Sequence, residues 1–185
     1  MAENSGIQWT DSTFNPWWGC TKVSPGCANC YAETLAVTRR KLPVWGPAPR
    51  FGRKFMSEGH WKGPEKWNRA AAAAGVRHRV FCASMADVFD EHPDVGPHRA
   101  RLFDLIERTP HLDWQLLTKR PERVMEAVPP DWHGGFPGNV WIGTSVEDQE
   151  RADVRIAVLL EIPAAVRFLS CEPLIGPVDL GDWTR

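Results

Sequence analysis

Short apolar runs alternate along this chain with stretches of helical periodicity. His78 to Ser84 reads H-R-V-F-C-A-S, an apolar run of strand length, and Asp113 to Thr118, Asn139 to Thr144 and Ala165 to Ser170 repeat the type. An earlier strand is expected within Ile7 to Trp17, where Ile7, Trp9, Thr13 and Phe14 favour extended backbone until Asn15-Pro16 interrupts it. Helices are expected between the strands, at Tyr31 to Lys41, Pro64 to Gly75, Gly96 to Arg108, Pro121 to Val128 and Asp148 to Glu161. The third carries Leu102, Phe103, Leu105 and Ile106 as one buried stripe. Five strands alternating with helices predict an α/β fold of parallel strands joined by right-handed crossovers and wound one way. A doubly wound sheet is the rival, but no G-x-G-x-x-G follows a strand, so its dinucleotide-binding version lacks its fingerprint.

Composition narrows the class without naming a partner. The chain has 185 residues, 43% apolar and 24% charged, which suits one soluble domain. A net charge of −1 gives no global argument for a polyanionic partner. No apolar run approaches the roughly 18 residues of a membrane span. Met1 to Gly6 lacks a signal-peptide pattern, so a cytoplasmic location is expected.

One segment departs from this average. Residues 39–62 hold seven basic side chains against the single acid Glu58, interleaved with Trp45, Phe51, Phe55 and Trp61. Charges that neutralise phosphates beside rings that stack on bases make Arg39, Arg40, Arg50, Arg53 and Lys54 nucleic-acid candidates. A solvated lid whose aromatics pin it to the body is the equal alternative.

Candidate chemistry concentrates in G-C-T-K-V-S-P-G-C-A-N-C-Y, which sets Cys20, Cys27 and Cys30 within eleven residues. An odd number of thiols cannot pair among themselves, and a chain without a secretory signal points to metal. A closed zinc site wants four ligands, whereas a cubane iron-sulfur cluster can use three thiolates and leave one iron open. Gly19, Pro25 and Gly26 supply the bends that turn the thiols inward. Packing as small hydrophobes is the alternative. Trp17 and Trp18 are expected to wall this pocket, Cys82 belongs to an apolar strand, and Cys171 at a strand end could add a fourth ligand. The six histidines are scattered, without the spacing of a zinc ligand pair.

Sites in βα folds gather at the carboxyl ends of strands, and the residues there are polar. The four later strands lead into Ser84 and Asp87, then Thr118, Lys119 and Arg120, then Thr144, Ser145 and Glu147, and finally Cys171 and Glu172. Hydroxyls, acids and a cation together suit a zwitterionic ligand. Helix capping by Ser145 or Asp148 is the alternative use.

These residues carry a resemblance. C-x6-C-x2-C-Y-A resembles a widened C-x3-C-x2-C cluster loop of the radical S-adenosylmethionine (SAM) superfamily, and C-x2-C-Y-A is similar to its spore photoproduct lyase and DNA repair photolyase-like branch. With the preceding T-F-N-P-W-W-G-C the chain resembles, more closely still, a phage-derived uncharacterised family with this three-cysteine motif. Two departures stand out: six residues separate the first two cysteines, and Asn29 occupies a position where an aromatic is common. The resemblance implies an incomplete barrel of six βα units, of which this chain supplies five, as in a shortened or truncated product whose open edge a partner protein covers. It implies a 4Fe-4S cluster on Cys20, Cys27 and Cys30, with SAM chelated at the open iron. Ser84 would then stand near the methionine amino group, Lys119 near its carboxylate and Ser145 near the methionine or ribose. Asp87 and Glu147 join them as cofactor-binding candidates, and Glu172 follows as a second-layer or substrate residue. A flavodoxin or ferredoxin would supply electrons, and nucleic acid would be the acceptor. The reading from another class is a non-catalytic, zinc-stabilised module that binds nucleic acid or protein.

Overall fold

The structure is a computed structural model that describes residues 5–181 and 183. In chain order its strands are β1 (Ser12–Thr13), β2 (Trp17–Trp18), β3 (Lys54–Phe55), β4 (His78–Cys82), β5 (Leu112–Thr118), β6 (Val140–Ser145) and β7 (Val166–Ser170). The α-helices are α1 (Tyr31–Glu33), α2 (Glu58–Trp61), α3 (Gly63–Ala74), α4 (Gly96–Glu107), α5 (Val124–Ala127) and α6 (Gln149–Glu161). β1, β4, β5, β6 and β7 lie side by side in that order, and each neighbouring pair is parallel. Every step across the sheet goes the same way, so the α/β fold is an incomplete, TIM-type βα barrel of five parallel strands with outer helices.

Alternation along the strands separates two faces. Val80 and Cys82 on β4, Trp114 and Leu116 on β5, and Val140 and Ile142 on β6 are fully buried in one core with Leu102, Leu105 and Ile106 of α4. Each such side chain stabilises the fold by about 1.5–3 kcal/mol relative to exposure. Phe81, Gln115, Trp141 and Val166 are register partners across four strands and belong to the opposite, concave side. Gly143 also lies there, and the Phe168 ring covers it, 2.4 Å from where a Cβ would stand.

Local signals explain most helix ends. Pro64 opens α3, and Gly75, in the left-handed region at φ 65°, closes it. Asp148 caps α6 by accepting from the Arg151 N–H, so the capping role falls to Asp148 and Ser145 is left to the cavity described below. Two expectations need correction. The first strand is short, because the Asn15 side chain accepts from the Met85 N–H and ties the chain down just after β1, while Trp17 and Trp18 pair antiparallel with β3. The helix after the cysteines widens into a π-helix over Thr34–Arg39. Among the described residues, no helix is long and apolar enough to cross a membrane.

Candidate metal and cofactor centre

The cysteine loop leaves β2 at Gly19, whose φ of 117° is in the left-handed region and whose N–H donates to the Met85 carbonyl just past β4. A Cβ at Gly19 would stand 2.3 Å from the Val44 carbonyl oxygen, so only glycine fits the crossing. Pro25–Cys27 then makes one turn of 3-10 helix. Its middle residue rests on Glu147: a Cβ on Gly26 would lie 1.6 Å from Glu147 Oε2. The fully buried Glu147 accepts at Oε1 from the Ser24 hydroxyl (2.5 Å) and from Arg155 Nη1 (2.7 Å), with Lys119 Nζ at 3.9 Å. Burial pushes this carboxyl up, but the Ser24 and Arg155 hydrogen bonds and the charges of Lys119 and Arg155 outweigh it and hold it below the usual glutamate range. Burial in turn pulls the Lys119 ammonium below its ordinary value, against the opposing effect of Glu147.

A buried ionic network holds the loop from its other side. Arg53 pairs with Asp90 at 2.7 Å and donates to the carbonyls of Val44, Gly46 and Gly52 and to the Thr21 hydroxyl. Arg120 pairs with Asp87 at 2.9 Å, reaches Asp90 at 3.5 Å and donates to the Thr21 carbonyl. Its Nη1 lies 3.7 Å from Cys20 Sγ. Burial, and then the Asp87 charge, push the Cys20 thiol up to about 12, with Arg120 opposing. Lys22, which pairs with Glu33 at 2.6 Å, and Lys119 add two further cations to the cavity wall that holds the thiols.

One cavity of about 1050 Å³ unites these parts at the carboxyl end of the sheet. Cys20, Cys27 and Cys30 all line it, and so do Ser84, Asp87, Lys119, Ser145 and Glu172. Ser84 Oγ accepts from Asn15 Nδ2 at 3.0 Å, and the Ser84 carbonyl accepts from the Tyr31 hydroxyl at 2.6 Å. Asn15 and Tyr31 thus shape the wall together with Arg120, and of the three the sequence pattern marks Arg120 alone as a strand-end site residue. Only the i+1 position of Tyr31 after the last cysteine hinted at its place.

Several predicted roles change with the geometry. Asp87 reaches the cavity with both oxygens engaged, Oδ1 by Phe89 N–H and Thr118 Oγ1 and Oδ2 by Lys119 N–H and Arg120. It anchors the β5 end and has little capacity left for a ligand. Glu147 supports the loop from beneath and does not line the cavity. Trp18 and Trp45 are walls, whereas Trp17 is fully buried and is not among the lining residues. Cys171 lines a neighbouring recess, away from the three loop cysteines. Among the described residues, no group of three or more His, Cys, Asp or Glu is already gathered closely enough to hold a metal ion.

The basic segment divides in the same way. Arg39, Arg40, Arg50 and Lys54 are exposed, Arg50 beside the Phe51 ring at 5.3 Å and Lys54 over Trp18 at 5.4 Å. Arg53 corrects the expectation: its side chain is 0% exposed and saturated by protein partners, so no phosphate can reach it. Trp45 and Trp61 are buried and Phe55 stacks on His98 at 3.8 Å, so the aromatics mostly pin the segment to the body.

The fold has a solved relative. A mutant of spore photoproduct lyase, a radical SAM enzyme, with bound AdoMet and dinucleoside spore photoproduct, superposes with a TM-score of 0.59 at 12% identity. The match covers 92% of this chain and 48% of that one, so the chain spans about half the length of that enzyme. At this identity the likeness establishes a radical-SAM-like fold. Among curated proteins none matches. A family model described as "Protein of unknown function" matches residues 4–184, and the chain therefore belongs to that family, DUF5131.

Proposed function

We propose that this is a radical-SAM-type protein in which Cys20, Cys27 and Cys30 hold a 4Fe-4S cluster and the adjoining cavity takes SAM. The observation that carries the reading is the meeting of all three cysteines with Ser84, Lys119 and Ser145 on one cavity at the strand ends. Arg120 beside Cys20, with Lys22 and Lys119 on the same cavity wall, suits an anionic cluster.

When bound, such a cluster would supply one electron to the SAM sulfonium, whose C–S bond would break to give methionine and a 5'-deoxyadenosyl radical. The chain's own residues bind and orient. Lys119 offers its ammonium to the methionine carboxylate, Ser84 Oγ keeps a lone pair for the methionine ammonium, and the buried Ser145 lies toward the methionine or ribose. Trp18 and Trp45 exclude water from one side. Glu172, exposed at the rim, belongs to the side from which substrate enters.

The proposed setting is a phage-associated protein working in the cytoplasm, reduced by a flavodoxin or ferredoxin. A protein partner covers the edge of β7, where no further strand pairs among the described residues, and nucleic acid is the substrate. The last point is supported by the exposed cations Arg39, Arg40, Arg50 and Lys54. Replacing Arg39 and Arg40 together with alanine is expected to weaken binding to single-stranded DNA and to reduce the slope of log affinity against log salt by about 1.4. An unchanged slope in a salt titration would remove that segment from the binding surface.

Anaerobic reconstitution with iron and sulfide tests the cluster itself. About four irons and four sulfides per chain are expected, with visible absorption. Alanine at Cys20, Cys27 or Cys30 should each abolish uptake, while alanine at Cys171 should leave it intact. Tight binding of one zinc per chain in place of iron would favour the non-catalytic module instead.

A further inference from the structure

Beside the main cavity lies a second recess of about 460 Å³ on the concave side of the sheet. Trp9, Trp141 and Phe168 give it aromatic walls, with Trp9 and Phe168 centroids 6.4 Å apart. Into this apolar setting the sheet sets one amide, Gln115, which is only 4% exposed. Its Nε2 donates to the Trp9 carbonyl at 3.3 Å, and its Oε1 is buried without a hydrogen-bond partner. A flipped amide would set oxygen against that carbonyl oxygen, so the orientation follows from chemistry. Arg79 stands at the same recess with its side chain 41% exposed and, among the described residues, pairs with Asp11 at 3.5 Å, while Glu172 lines the recess near its mouth to the main cavity.

An unpaired buried acceptor is costly, and a ligand that donates to it recovers that cost. The ligand must be flat to lie among the rings, must present an N–H at its edge, and must carry an anion for Arg79. We propose that this recess is a nucleotide site that takes an amino-bearing base, its exocyclic amino group donating to Gln115 Oε1 and its phosphate facing Arg79. The recess shares Trp9, Ser170 and Glu172 with the main cavity, so a base held there borders the space above it. The site is made of protein groups alone and does not depend on a cluster.

Titration calorimetry of the full chain, before and after iron reconstitution, tests this with cytidine and uridine monophosphates. They differ at one edge, where cytosine has an amino donor and uracil a carbonyl that would face Gln115 Oε1. Cytidine monophosphate is expected to bind at least tenfold more tightly than uridine monophosphate in both forms of the protein. Gln115→Leu should erase that preference, and Trp141→Ala, beside it on β6, should weaken both nucleotides. Equal affinity for the two nucleotides, a preference that survives Gln115→Leu, or no binding of either would overturn the proposal. A protein that takes up no iron yet keeps the cytidine preference would retain this site while losing the cluster reading.

Discussion

Replacing Gly26 with alanine is expected to cut iron uptake by more than tenfold and to lower the melting temperature. The added Cβ would lie 1.6 Å from Glu147 Oε2 and 2.5 Å from its Cδ. Glu147 cannot swing aside cheaply, because Ser24 and Arg155 hold its other oxygen and no part of it reaches solvent. Breaking a buried ion pair costs about 3–5 kcal/mol, whereas lifting an overpacked loop costs about 1–3 kcal/mol, so the loop moves. At this chain length that is a fall of roughly 3–10 °C in melting temperature. The same shift carries Cys27, the next residue, out of place. Removing the obstacle in a Gly26→Ala, Glu147→Ala double variant should recover part of the iron uptake. Normal uptake by Gly26→Ala alone would mean that Glu147 does not set the loop's height.

The largest loss of stability is expected from Arg53→Met. Asp90 would be left in the interior at 1% side-chain exposure, with Arg120 at 3.5 Å as its remaining ion-pair partner. Orphaning one member of a buried pair costs about 3–5 kcal/mol, or roughly 10 °C here. The Thr21 hydroxyl and the Val44 carbonyl lose their Arg53 donor together, and the Gly46 carbonyl is left with the Thr21 hydroxyl, so the cysteine loop and the segment after it loosen as a unit. Arg53→Met with Asp90→Leu should be markedly more stable than Arg53→Met alone, since no charge is then buried unpaired. An Arg53→Met protein with unchanged thermal unfolding and weakened nucleic-acid binding would return Arg53 to the surface role that its neighbours in the sequence suggested.

That contrast shows which parts of the molecule were legible in the chain. The runs around Val80, Trp114, Ile142 and Phe168 announced the parallel sheet, because strands covered on both faces read as continuous apolar segments. The polar residues after each run announced a site, because parallel topology brings all the carboxyl ends to one side. The Arg53–Asp90 and Arg120–Asp87 pairs were not legible. Their partners are 37 and 33 residues apart, and no local period links them. Within residues 39–62 a buried arginine and exposed ones look alike, since composition reports charge and not its surroundings. Trp17 and Trp18 illustrate the same limit: pairing with β3 sends one into the body and the other to the cavity wall. Gln115 reads as an ordinary strand residue until the sheet places it among aromatic rings with its oxygen unpaired.

The central claim is that one iron of a three-cysteine cluster faces a SAM-binding cavity. Low-temperature electron paramagnetic resonance of the reconstituted, reduced protein, recorded with and without SAM, addresses it directly. The account predicts a cluster signal that SAM shifts, that Cys27→Ala abolishes, and that Lys119→Ala leaves present but much less responsive to SAM. A cluster signal indifferent to SAM at saturating concentration would contradict it, since the open iron and the groups at the strand ends would then not share a ligand.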